Sequence, residues 1–144
     1  MISMSLYKAA KAIESNYSGE DVFFSGCSID SRTIKKGNLF IAINGENFDG
    51  HDYVSMAEEK GAAALLLERE VSHDKPVLKV KDTRKAIGLL ARSWREEITA
   101  PVVAITGSNG KTTVKEMVRS ILSELSDVHA TSGNLNNDIG VPLT

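Results

Sequence analysis

The chain has 144 residues, of which 42% are apolar and 25% charged, a balance that supports a packed core and excludes a disordered polymer. A formal net charge of −2 argues against a protein that holds nucleic acid by bulk electrostatics. The longest unbroken apolar run, Ala62 to Leu67, is far short of the ~20 residues a membrane span needs.

Leu6, Ala9, Ala10, Ile13 and Tyr17 recur at helical spacing and predict a first amphipathic helix from about Ser5 to Asn16. Such a terminus does not read as a secretory signal. One cysteine, Cys27, can form neither an internal disulfide nor a zinc site, so a reducing, cytoplasmic compartment is expected. Extended stretches follow at Gly26 to Asp30 and Asn38 to Ile43, then a short helix from Tyr53 to Lys60 ended by Gly61. Ala63 to Leu67 reads as a buried strand, and Val77 to Val80 as one more. Glu68 is taken as a surface residue at a strand end.

Asp82 or Thr83 can cap a helix whose stripe is Ile87, Leu90, Ala91, Trp94 and Ile98. Pro101 stops that helix and starts the run Val102 to Thr106, which predicts a buried strand. The boundaries are therefore set at 1–82 for a first domain, 83–100 for a linker helix and 101–144 for the start of a second. The last segment is short for a domain, and the chain reads as cut inside it. Alternating helices and strands make the fold class α/β.

The sharpest motif is Thr106-Gly107-Ser108-Asn109-Gly110-Lys111-Thr112-Thr113. It follows the predicted strand and precedes a helix with a stripe of Val114, Met117, Val118, Ile121, Leu122 and Leu125. Gly107 and Gly110 permit positive φ and close approach of backbone N–H groups to phosphate. Lys111 can reach the β- and γ-phosphates of ATP, and the Thr112 hydroxyl can ligate Mg²⁺. Ile105 stands where the general phosphate-loop pattern has its first glycine, so the loop is the shortened form GxxGK[ST]. A plain glycine turn would need neither the lysine nor two threonines. A kinase or GTPase with an unusual loop is a rival reading, but no guanine-reading Asn-Lys-x-Asp motif is present. A non-catalytic module that holds a nucleotide is another.

Three stretches together resemble the Mur ligases, the ATP-dependent amide-forming enzymes of peptidoglycan precursor synthesis. The first is the TGSNGKTT loop, which the related folylpolyglutamate and cyanophycin synthetases share. The second is Asp30-Ser31-Arg32 with Lys36 to Ala42, Gly45 and Asp49-Gly50-His51. It is similar to the first domain of the members that add the third residue or the terminal dipeptide. The third is Gly133 to Thr144, GNLNNDIGVPLT, which resembles the dipeptide-adding members.

The resemblance implies a small N-terminal α/β domain that binds a uridine nucleotide, followed by the first strand, phosphate loop and helix of a truncated ATP-binding domain. It implies ATP and Mg²⁺ as cofactors, and UDP-N-acetylmuramoyl-tripeptide and D-alanyl-D-alanine as substrates, with no nucleic acid, membrane span or obligate protein partner. Gly107, Ser108, Asn109, Gly110, Lys111, Thr112 and Thr113 would hold ATP, with Lys111 and Thr112 catalytic. Ser31, Arg32, Asn47, Asp49, His51, Asn134 and Asn137 would face the uridine-linked substrate. Without the resemblance Ser31 and Arg32 read as an exposed turn between strands, and Asn134, Asn136 and Asn137 read either as contacts to substrate or nucleotide or as a polar turn. Family members have three domains and about three times this length, so the chain is expected to be an inactive fragment.

Overall fold

Helices and short strands alternate along the chain in a computed structural model that describes residues 3–133, 135 and 137–144. Strand β1 (Met4–Ser5) leads directly into helix α1 (Leu6–Ala12), which Ser5 caps by accepting the Lys8 amide. Then come β2 (Asn16–Ser18), β3 (Phe23–Phe24), β4 (Cys27–Ser28) and β5 (Leu39–Ile41). A 3-10 turn (Gly50–Tyr53) runs into α2 (Val54–Glu59), followed by β6 (Ala64–Leu67) and β7 (Val77–Lys79). Helices α3 (Thr83–Glu96) and α4 (Lys111–Ser123) complete the order.

The main sheet has the strand order β2-β7-β6-β5-β4, parallel from β4 to β7 with β2 antiparallel at one edge. Strands β1 and β3 form a separate antiparallel pair. Alternation along the parallel strands divides the core by face. Leu39, Ile41, Ala64, Leu66 and Leu78 point to a layer made by α1 and α3, with Leu6, Ala9, Ile87 and Leu90. Phe40, Ala42, Leu65, Leu67 and Val77 point the other way, to Val54 and Ala57 of α2. Both faces of the central strands are covered, which is why they read as continuous apolar runs. Trp94 packs edge-on to Phe24, ring centroids 5.6 Å apart. Cys27 is half-buried against the α1 and α3 layer, and burial pushes its thiol up to about 12.

The mixed α/β class is the one expected, with three corrections. The first helix stops at Ala12, because Glu14 takes φ +52° and turns the chain into β2. Tyr17 therefore lies on an exposed edge strand and packs against Tyr7, outside any helical stripe. The segment from Val102 to Thr106 forms no strand, and Val102 and Val103 are more than 60% exposed. A parallel strand needs neighbours on both sides, and among the described residues none pairs with it. Helix α4 forms as expected but buries no residue: of its expected stripe Val114, Met117 and Ile121, with Leu125 just past its end, are exposed, and Val118 and Leu122 are half-buried. Glu68 is the third: its side chain is engaged with the start of α3, as described below.

Candidate functional site

In open α/β sheets ligands bind beyond the carboxyl ends of the parallel strands. Here the loops after β4, β5 and β6 meet at that edge. After β4, the Asp30 carboxylate grips Arg32 through Nε at 2.9 and 3.2 Å and Nη2 at 2.8 Å, and also accepts its amide. This fork holds Asp30 down at about 2 and raises Arg32. The Ser31 side chain is buried beneath the loop, its hydroxyl 3.3 Å from the Met56 sulfur on α2. Arg32 thus projects into solvent as half of an ion pair, while Ser31 faces the fold.

After β5 the chain makes a tight hairpin, with Asn44 bridged to Asp49 and the Gly45 amide donating to the Phe48 carbonyl. Asn47 and Phe48 sit exposed at its tip. Its base is fixed. A Cβ on Gly50 would stand 2.7 Å from the Ile43 nitrogen, so only glycine lets the 3-10 turn lie against the outgoing strand. Asp49 caps that turn through the His51 amide and also accepts from the His51 ring at 2.6 Å. Nε2 of the same ring accepts the amides of Glu68 at 2.9 Å and Arg69 at 3.4 Å, just past β6. Nδ1 therefore carries the proton and Nε2 its lone pair. Arg69 returns to Asp49 and to Asp52.

His51 is only 4% exposed, so the residue expected to face substrate is a buried latch between two loops. Glu68 continues the chain of contacts: its carboxylate accepts the amide and hydroxyl of Thr83 at 2.6 and 2.8 Å, joining β6 to α3. The sequence held a signal for this, since a carboxylate beside a buried strand end needs a partner.

Partial burial pushes the Asp49 carboxyl up, but hydrogen bonds from the His51 amide, the His51 ring and Arg69 outweigh it and hold the group at about 2. The folded state thus keeps Asp49 ionised where an unfolded chain would protonate it near the usual value. Its contribution is present above about pH 4 and lost as pH falls towards 2. With the side chain 27% exposed, solvent screening holds that contribution to ~1 kcal/mol. Acid unfolding curves should show it as part of a slope, shared with Asp30, that Asp49→Asn makes shallower. An unchanged slope in the variant would remove Asp49 from the latch.

The phosphate loop stands apart from these contacts. Gly110 adopts φ +77° and stands at the N-cap of α4, where it supplies no side-chain cap hydrogen bond. Gly107 to Gly110 lie outside the helix, as the loop requires. Lys111 folds back and donates to the Gly107 carbonyl at 2.5 Å. Ser108, Asn109, Thr112 and Thr113 are exposed around it. Asn137 accepts the Ile139 and Gly140 amides at 3.3 and 2.7 Å and caps a local turn. Asn134 and Asn136 lie outside the described residues. Among the described residues no three metal-capable His, Cys, Asp or Glu side chains gather, and no helix is long and apolar enough to cross a membrane.

The family model of the Mur ligase catalytic domain matches residues 24–95, and that of the Mur ligase middle domain matches residues 105–144. The chain belongs to the Mur ligase family. Within that family, the UDP-N-acetylmuramoyl-tripeptide–D-alanyl-D-alanine ligase of Escherichia coli is 46% identical over the whole chain, which covers 32% of that protein. The enzyme of the same name from Haemophilus influenzae is 45% identical, again over the whole chain and 33% of its own length. A crystal structure of MurF from Acinetobacter baumannii matches 99% of this chain and 32% of its own at TM-score 0.90 and 36% identity. MurF ligase from Thermotoga maritima in complex with ADP matches 82% of this chain and 28% of its own, at TM-score 0.72 and 34% identity. The chain spans about a third of the length of these Mur ligases. Its break between the two matched models falls at residues 96–104, between the end of α3 and the phosphate loop.

Proposed function

We propose that the chain is the uridine-nucleotide domain and the opening of the ATP domain of a ligase that joins D-alanyl-D-alanine to UDP-N-acetylmuramoyl-tripeptide. Residues 1–82 bind the uridine-linked substrate, 83–100 link, and 101–144 begin the nucleotide site. The observation that carries this reading is the 46% identity to the dipeptide-adding Escherichia coli enzyme over the whole of this chain, a span that includes the DSR, DGH, TGSNGKTT and GNLNND segments. ATP transfers its γ-phosphoryl group to the terminal carboxylate of the tripeptide, and the amine of the dipeptide displaces phosphate from the acyl phosphate. Lys111 leaves the Gly107 carbonyl to meet the charge that builds on the phosphoryl oxygens. Gly107 to Gly110 and the uncapped start of α4 cradle the remaining phosphates.

Thr112 offers the hard hydroxyl oxygen that Mg²⁺ accepts beside nucleotide phosphates. When bound, the ion neutralises phosphate charge. Arg32 exchanges its Asp30 partner for the diphosphate, and Asn47, at the hairpin tip, borders the same edge. ATP and a uridine-linked precursor place the reaction in the bacterial cytoplasm.

A second reading has its own support. A 2,6-diaminopimelate-adding ligase from Aquifex aeolicus is 41% identical over 80% of this chain. The amine decides between them. Phosphate release by the full-length protein carrying this sequence should depend on D-alanyl-D-alanine; dependence on a diamino acid and a UDP-muramoyl dipeptide would select the other. The 144-residue polypeptide by itself should release no phosphate above background with ATP, Mg²⁺ and both substrates, since α4 stands uncovered. Turnover of ~1–10³ s⁻¹ would show that these residues assemble a complete site.

A further inference from the structure

Helix α4 buries none of its apolar stripe, yet one of its lysines is withdrawn from water. The Lys115 side chain is only 14% exposed. Its ammonium donates to the Thr131 carbonyl at 2.5 Å and the Gly133 carbonyl at 3.1 Å, with the Glu116 carboxylate at 3.0 Å. A lysine pulled from solvent needs such partners, and two are main-chain oxygens of one short segment. That segment continues into the turn at 137–140, which touches the first domain. Ile139 packs on the core layer of α1 and α3, Gly140 is buried, and Asp138 lies 3.7 Å from Arg84 near the start of α3. Lys115 also shares a helix face with Lys111 and Thr112, four and three positions before it.

We infer that Lys115 is a positioning residue, whose ammonium clamps the segment at 131–133 onto the phosphate-loop helix and so holds the turn at 137–140 in register with the first domain. The inference rests on the ligase reading above. The clamp sets the distance between the nucleotide loop and the uridine-linked substrate without touching either. Its loss separates the two, so the substrate term suffers and the nucleotide term does not.

The test compares Lys115→Met, which keeps the stem and removes the donors, with Lys115→Arg, which keeps them. In the 144-residue chain, exchange of the Leu135 amide, bonded to the Ser132 carbonyl, should quicken about tenfold or more in Lys115→Met and about threefold or less in Lys115→Arg. In the full-length ligase, Lys115→Met should raise KM for the uridine-linked tripeptide about tenfold and leave KM for ATP within about twofold, with Lys115→Arg restoring most of the loss. Unchanged exchange would overturn the clamp. Faster exchange with unchanged KM would overturn the positioning role, and so would an equal rise in KM for ATP. A Lys115→Met chain without a melting transition would mark a core role and overturn the inference as well. If the unsubstituted full-length protein showed no turnover, the ligase reading would fall, and the exchange measurement would still decide the clamp.

Discussion

In the full-length ligase, Lys111→Ala should lower kcat by ~10²–10³ and leave the fold intact. On the proposed reading, charge accumulates on the phosphoryl oxygens during transfer, and Lys111 is the basic residue that the loop carries to meet it. Removing one preorganised donor of this kind typically costs that factor. Among the described residues the ammonium hydrogen-bonds to carbonyls of its own loop, Gly107 and Ser108, at an exposed position, so its removal opens no cavity. Single-turnover phosphate release, with circular dichroism as the folding control, measures the effect. Near-normal turnover by a folded variant would make the loop a plain turn and take away the main chemical support for the ligase reading.

The largest effect on stability is expected from His51→Ala. The ring is buried and accepts two amides, Glu68 and Arg69, while donating to Asp49. Truncation strands those amides at the end of β6 and leaves Asp49 without its ring partner, at a cost of about 2–4 kcal/mol. Tm should fall by roughly 10 °C. Phe48→Ala, 72% exposed at the tip of the same hairpin, should stay within about 0.5 kcal/mol of the parent. A normal Tm in His51→Ala, joined to a raised KM for the uridine-linked substrate, would return His51 to direct binding and remove the latch.

The contrast between these residues shows where reading the chain succeeds. Gly110, Lys111 and Thr112 were legible as a local arrangement, a positive φ, a helix start and a cation one residue on, while what they hold belongs to the proposal. Asp82 was legible for the same reason, since it accepts the Lys85 amide three residues ahead. Ser31, Arg32 and His51 were legible as marked residues, but their partners within the fold were not. Arg32 is tied to Asp30, Ser31 points at α2, and His51 bonds to amides 17 and 18 positions away.

Local chemistry thus determined by itself the α/β alternation, the capped helix α3, the glycine turn before Lys111 and helix α4, because caps, glycine conformations and helical periods act within a few residues. Strands β1, β2 and β3, two or three residues each, are too short to carry a period, and pairing partners alone create them. The same dependence on partners left Val102 to Thr106 without a strand, although its composition favours one. Tertiary structure also decided that Glu68 holds Thr83 and that Lys115 holds the Thr131 and Gly133 carbonyls. Buried polar groups take whichever partner the fold brings within reach, and separation along the chain does not announce it.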